Sequence, residues 1–375
     1  MSAGETRGVE PDEYAAHGLY DPAVPDRERL EMLDFLVSQG VTLTEIAAAE
    51  RDARMGSVFT DRIAGPATLT LEDVAARASL PPELVARVWR AAGFPDPEPG
   101  TAIFSESDAD AVTVFSFSIG IFGEEAALQL VRVVGSSLAR IAEAQLTSAL
   151  ANVPGAYFRT AATALDSLRT SSTLLSLIPM AETAMNQFLR RHLVTANRRF
   201  EQMSTSGTRS EVVDLGVGFA DLTGSTRLSV ELSWEEFARA MLDFEALTTD
   251  LVTSAGGRVV KLIGDEIMFV APSATGAVDI GVDLLRALAD HPVLPGLRVG
   301  VAAGPATARD GDYFGPVVSL ASRLVDIAQP GALLVPKDVV DAVAGDDSYA
   351  AEPLGAHTLQ GFPDAVDVFR LRRTL

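Results

Sequence analysis

Part-way along the chain the rhythm of apolar and polar positions changes. In the first half apolar residues recur three and four apart, the spacing that places them on one face of a helix. Leu30, Leu33, Leu36 and Val37 keep this spacing up to Gly40, and Thr42 to Glu50 has the form of another short helix. The segment LEDVAARASLPPELVARVWRAAG, Leu71 to Gly93, divides into two short amphipathic helices around Ser79-Leu80-Pro81-Pro82, the spacing of a helix-turn-helix. Two longer helices are expected at about Glu124 to Asn152 and about Ser172 to Phe200. Their wide faces of Leu, Val, Ala and Met call for burial, in the domain's own core, against a second copy, or around a small apolar ligand.

The polar stretch QMSTSGTRS, Gln202 to Ser210, marks the change. Beyond it, Glu211 to Ala220 reads as a strand, and Ser233 with Glu236 forms a capping box that opens a helix to about Ser254. Arg258 to Leu262 and Ile267 to Val270 are short apolar runs joined by Ile263-Gly264-Asp265-Glu266, a β-hairpin. A helix at Ala274 to Ala289, a strand at Leu297 to Ala303, a helix at Gly315 to Ile327 and strands at Ala332 to Val335 and Val366 to Leu371 complete the series. The expected architecture is an all-α domain over residues 1–200, a linker over 201–210, and an α+β ferredoxin-like domain over 211–375.

Composition narrows what such a chain does. With 30 Lys plus Arg against 51 Asp plus Glu the formal net charge is −21, which opposes non-specific association with DNA or anionic lipid. DNA binding through residues 71–93 is therefore not expected. Cysteine is absent, which excludes disulfides, thiolate metal sites and a thiol nucleophile. Met1 to Asp12 is acidic where an export signal would be basic, and the apolar run Ala111 to Gly123 ends after 13 residues, short of the ~20 that span a bilayer. A soluble, cytoplasmic protein is the expectation.

Candidate chemistry lies in the second half. Asp221 ends the first strand in FADLTGST, and Asp265 lies in the hairpin turn of KLIGDEIMF. In a ferredoxin-like sheet these strands are neighbours, so the two carboxylates face one another. Close carboxylates repel unless cations lie between them, and Mg²⁺ is held by one or two carboxylates together with substrate phosphates. Backbone N–H groups of Leu222, Thr223, Gly224 and Ser225, running toward Thr226 and a helix, are candidates for cradling phosphate oxygens. In GDYFGPVVSLASRL, Asp312 precedes a helix on which Ser319 and Arg323 are four apart, and the Arg323 fork suits a phosphate.

FADLTGST, VVKLIGDEIMF and GDYFGPVVSLASRL, in this order and spacing, resemble the catalytic domain of class III adenylyl and guanylyl cyclases over roughly Val212 to Leu371. The resemblance implies that Asp221 and Asp265, with the Leu222 carbonyl, hold two divalent cations, Mg²⁺ or Mn²⁺. It implies that Lys261 and Asp312 read the purine, this being the adenine-selecting pair, and that Arg323 stabilises charge on the transferring phosphate. The implied reaction converts ATP to 3′,5′-cyclic AMP and pyrophosphate in a head-to-tail homodimer whose sites draw residues from both chains. Two positions depart from the pattern: Ser319 replaces an asparagine that orients the ribose, and Gln360 stands where relatives often carry a basic residue for the triphosphate. A slower or weaker-binding enzyme, or at the limit an inactive nucleotide sensor, would follow from them.

The first half resembles the helical regulatory region of soluble actinobacterial cyclases of the mycobacterial pH-responsive type. That resemblance implies autoinhibition and a proton or lipid effector. His192, in the basic segment LRRHLVTANRRF, is the candidate sensor, because imidazole titrates near neutrality. Loss of acidic self-repulsion as pH falls is an alternative route to the same response.

Overall fold

The computed structural model describes residues 9–153, 163–203, 212–289 and 291–374. The chain forms two compact units, Met1–Phe188 and Leu189–Leu375. Most of the polar stretch Gln202 to Ser210, and Glu211 with it, falls outside the described residues.

The first unit is helical, as expected. Helices α1 (Pro11–Ala16), α2 (Arg27–Ser38) and α3 (Leu43–Arg51) bury Tyr14, Leu33, Leu36 and Ile46 against Leu165 and Leu168 of α8 (Ala164–Ser176). Thr42 and Glu45 form a reciprocal capping box at the start of α3. Helices α4 (Leu71–Ala78) and α5 (Pro82–Ala91) are the two halves of the helix-turn-helix, and they share a core with α6 (Glu106–Phe122) and the start of α7 (Glu124–Asn152). Ser79, left-handed at φ 54°, ends α4 and lets the chain reverse into α5. The arginines of this pair, Arg77, Arg87 and Arg90, are ion-paired with Glu106, Glu124 and Asp96. Those cations are thus already matched by acids of the chain itself.

One expectation for the long helices needs correction. The helix predicted from Ser172 is the end of α8 followed by α9 (Ile178–Met203), because Pro179 falls in the first turn of α9, where a missing N–H is tolerated. Of the three kinds of cover expected for the apolar faces, the domain's own core supplies only part. On α7 only Ala127 and Leu128 are fully buried, while Leu130, Val134, Leu138, Leu146 and Leu150 are exposed, as are Phe188 and Leu193 of α9. No helix among the described residues is long and apolar enough to cross a membrane.

The second unit is built on an eight-stranded sheet in the order β2-β3-β1-β4-β6-β8-β7, with β5 pairing β4. Its strands are β1 (Val212–Leu222), β2 (Arg258–Ile263), β3 (Glu266–Ala271), β4 (Leu297–Arg309), β5 (Asp312–Phe314), β6 (Leu333–Pro336), β7 (Tyr349–His357) and β8 (Val366–Arg373). The helices are α10 (Ser225–Glu231), α11 (Trp234–Ser254), α12 (Ala274–Ala289), α13 (Pro316–Ile327) and α14 (Lys337–Val343). Strands β2, β3, β1 and β4 with α11 and α12 give the expected ferredoxin-like arrangement.

Period-two alternation sends successive strand residues to opposite faces. Ala220, Leu222, Ile267, Phe269, Val299 and Val301 pack against Phe244 of α11 and Ile280 and Leu284 of α12. Leu215, Val217, Phe219, Met268, Val270 and Ala302 pack on the other face against Val317, Ala321 and Val325 of α13, joined by Tyr313 of β5. The sequence reading omitted β7, whose Pro353 coincides with a register irregularity, and a proline inside a run argues against a strand except at a sheet edge, where β7 lies.

Gly300 of β4 sets how closely α13 approaches. A methyl there would lie 2.4 Å from the Ala321 carbonyl oxygen and 2.5 Å from the Val325 nitrogen, so the helix backbone rests directly on the strand. Gly300→Ala should force α13 outward and destabilise the unit by about 1–3 kcal/mol, checked by urea unfolding.

Candidate active site

Three neighbouring strands carry one polar row at the end of an otherwise apolar face. In register, Asp221 of β1 stands opposite Glu266 of β3 on one side and Arg298 of β4 on the other. All three occupy alternation positions continuous with Phe219, Met268 and Ala302, so they share the face that α13 covers. Arg298 donates from Nε (2.7 Å) to Asp221 Oδ2, its Nη2 lies 2.6 Å from the same oxygen, and its Nη1 donates to the Asp326 carbonyl at 3.2 Å. Sequence reasoning missed Glu266 and Arg298.

Asp265 joins this row from the two-residue turn between β2 and β3. The Leu222 N–H donates to the Asp265 carbonyl at 3.2 Å, and the Ser225 hydroxyl donates to the Asp265 carboxylate. Burial lifts the Asp221 carboxyl above the ordinary aspartate range, Arg298 works against this, and the charge of Asp265 adds to it. Glu266 is affected more strongly: burial first, then the charges of Asp221, Asp326 and Asp265, push it up to about 7.

Two of the backbone donors read from the sequence as a phosphate cradle are already engaged. The Leu222 N–H is committed to Asp265, and the N–H and hydroxyl of Thr223 both donate to the Gly296 carbonyl, at 2.8 and 2.6 Å. Thr223 and Gly224, the latter left-handed at φ 82°, form the turn into α10, whose first residues are Ser225 and Thr226.

A second grouping lies on β2, β5 and α13. Lys261 Nζ donates to Asp312 Oδ2 at 2.6 Å, and Asp312 Oδ1 accepts from the Tyr313 N–H at 2.8 Å. Asp312 directly follows the tight β4–β5 turn of Asp310 and Gly311, which have φ of 58° and 80°, the signature of a hairpin turn of the Asp-Gly kind. Arg323 is half-buried on α13 and bonds Asp326 at 2.9 Å, while Ser319, one turn earlier, is exposed. His192 on α9 and Gln360 in the turn between β7 and β8 are both exposed.

Among the described residues no group of three or more His, Cys, Asp or Glu forms a metal cage. Both Arg298 contacts to Asp221 fall on Oδ2, and Asp265 lies close enough for its charge to act on Asp221. Two hard carboxylates suit Mg²⁺ or Mn²⁺, which keeps most of its shell as water and other oxygen ligands. The donor set therefore fits a divalent cation.

Residues 13–195 match the family model described as the adenylate cyclase regulatory domain, and residues 208–372 match the adenylate and guanylate cyclase catalytic domain. An uncharacterized protein of Mycobacterium tuberculosis is 34% identical over 366 residues, 96% of this chain and 93% of its own. A pH-sensitive adenylate cyclase of the same species is 31% identical over 92% of this chain and 88% of its own. A Streptomyces coelicolor adenylate cyclase is 37% identical over 68% of this chain and 66% of its own. The chain belongs to the adenylate cyclase family of class III, with the regulatory domain preceding the catalytic one.

The raised Glu266 carboxyl means that the folded chain binds this proton more tightly than the unfolded chain. Its stabilising contribution is complete below the ordinary glutamate value and is lost as pH rises through about 7. Glu266→Gln removes the titration and keeps the neutral shape. In chelator, its melting temperature should fall less between pH ~5 and ~8 than that of the wild type; parallel curves by calorimetry would refute the assignment.

Proposed function

We propose that this chain is an adenylyl cyclase that converts ATP to 3′,5′-cyclic AMP and pyrophosphate in a head-to-tail homodimer, under control of its helical first half. The observation that carries the reading is the convergence of Asp221 and Asp265 at the end of β1, joined through Leu222 and Ser225. Two divalent cations bound there would lower the pKa of the ribose 3′-hydroxyl and neutralise the triphosphate. The hydroxyl oxygen bonds to the α-phosphorus, the bond to the β-phosphate oxygen breaks, and the hydroxyl proton is released.

The remaining roles belong to side chains. Lys261 donates to the adenine ring nitrogen N1, and Asp312 accepts from its exocyclic amine. Their mutual bond at 2.6 Å holds the two groups poised in the absence of a base. Arg323 gives up Asp326 for the α-phosphate, where a planar donor fork matches the charge. Ser319 presents a hydroxyl to the ribose, and the turn of Thr223, Gly224, Ser225 and Thr226 borders the phosphates. Gln360 contributes no charge to the triphosphate, so a weakened affinity for ATP is part of the proposal.

Regulation is assigned to the helical region, residues 1–200. A cleft of about 550 Å³ lies between α5, α6 and α7, lined by Trp89, Phe94, Phe115, Val131 and Val134. Its apolar walls suit an acyl chain, and His192 on α9 is the candidate proton sensor. Autoinhibition by this region is the expected resting state.

Asp221→Ala or Asp265→Ala should each lower cyclic AMP formation by at least about 10²-fold with the fold retained. Mixing Asp265→Ala with Arg323→Ala should recover up to about a quarter of wild-type activity, since half the dimers are mixed and each has one intact site. Unimpaired aspartate variants would end the two-cation assignment. Failure of the mixture to recover activity would end the shared-site dimer.

A further inference from the structure

Strand β2 contains an irregularity that bears on base recognition. Arg258 pairs with Val270 and Val259 with Phe269, but Lys261, not Val260, pairs with Met268. Val260 is thus an extra residue, a β-bulge. In a regular strand residues 258 and 261 would point to opposite faces. The bulge brings them to one face, because Val270 and Met268, their partners, both belong to the cluster under α13.

The consequence is visible in what the two side chains hold. Lys261 bonds the Asp312 carboxylate, and Arg258, from the same face, donates through Nη2 to the Gly311 carbonyl at 2.7 Å. The Arg258 guanidinium also lies over the Tyr313 ring, 5.4 Å from its centroid. Arg258 therefore grips the residues on both sides of Asp312. Tyr313 is buried in the core and its N–H holds Asp312 Oδ1, so the carboxylate is constrained from the backbone and from both neighbours.

Arg258 is itself supported. Arg199, on the last turns of α9, donates to the Gly257 carbonyl at 2.8 Å, fixing the chain at the residue before Arg258. Two like charges are held close together here: burial and the Arg258 charge both pull the Arg199 guanidinium below its ordinary value. Such an arrangement persists only where carbonyl and ring contacts offset the repulsion.

We propose that Arg258 is a positioning residue for purine selection: it holds the Asp310-Gly311 turn and the Tyr313 ring so that Asp312 meets Lys261 at the spacing an adenine requires. This rests on the reading of Lys261 and Asp312 as the base-recognising pair. Without Arg258 the hairpin keeps only the Lys261–Asp312 bond to β2, the bond the base itself must use, while the aspartates of the β1 end and Arg323 keep their places. The expected defect is therefore in base affinity and discrimination, and not in turnover.

The test uses the full-length chain with Arg258→Leu, Arg258→Lys and Lys261→Ala. KM and kcat are measured for ATP and GTP, together with dissociation constants for ribose-labelled fluorescent ATP and GTP. Loss of one charge-assisted anchor in Arg258→Leu should raise the ATP KM and dissociation constant about tenfold and shrink the ATP-to-GTP preference by a similar factor, with kcat changed less than about threefold. Arg258→Lys, which can still reach the Gly311 carbonyl, should recover part of the preference. If Arg258→Leu lowers kcat for both nucleotides alike and leaves their ratio unchanged, Arg258 is merely structural and the proposal fails. If Lys261→Ala leaves the ratio unchanged, the base-pair reading itself fails and takes the proposal with it. If Lys261→Ala shifts the ratio and Arg258→Leu does not, only the positioning role is lost.

Discussion

Carboxylates crowded at the end of one sheet face are the constraint on which the second unit depends. Asp221, Asp265 and Glu266 converge where β1 ends and β3 begins, and the fold supplies Arg298 on β4 against them. One guanidinium cannot neutralise three carboxylates in a half-buried setting. The protein accommodates the remainder partly by protonation, which is the meaning of a Glu266 carboxyl pushed up to about 7. Divalent cations would meet the same excess charge more directly. The excess negative charge of the row is what the proposed cation-bearing nucleotide would offset.

Arg298 also joins this row to the rest of the site. It bonds the Asp326 carbonyl at the end of α13, and the Asp326 carboxylate in turn holds Arg323. The same helix rests on Gly300, two residues along β4 from Arg298. The position of α13, and with it the reach of Arg323 and Ser319, is therefore tied to the strand that pairs with Asp221. Close backbone contact through a glycine gives a stiffer connection than interdigitated side chains would.

The sequence made much of this legible, and the parts it hid have physical reasons. Asp221, Asp265 and Asp312 stood out because turn signals and apolar runs bracket them, Lys261 came only through the family resemblance, and the same runs gave the βαββαβ order. Glu266 was read as part of a turn when it is the first residue of β3, because an apolar alternation cannot be recognised from its terminal position alone. Arg298 was masked inside a strand whose neighbours are Leu297 and Val299. The bulge at Val260 was invisible, since VVKLI reads as an unbroken strand and only pairing with β3 reveals the extra residue. The apolar faces of α7 and α9 are only partly covered within the single chain, because amphipathicity shows that a face prefers cover and does not identify what covers it.

The charge distribution bears on the proposed sharing of the site between two chains. A triphosphate is strongly anionic, and the β1 end of this chain is anionic too, so the two approach only through cations. The cationic groups assigned to the nucleotide, Lys261 and Arg323, are each tied to an acid of their own chain, Asp312 and Asp326. In the proposed reaction Arg323 would have to exchange the exposed Asp326 carboxylate for a phosphate, whose planar match to the guanidinium fork favours the exchange. In the proposed head-to-tail dimer, the acidic β1 end of one chain would meet Lys261 and Arg323 of the other, and the nucleotide with its cations would lie between them.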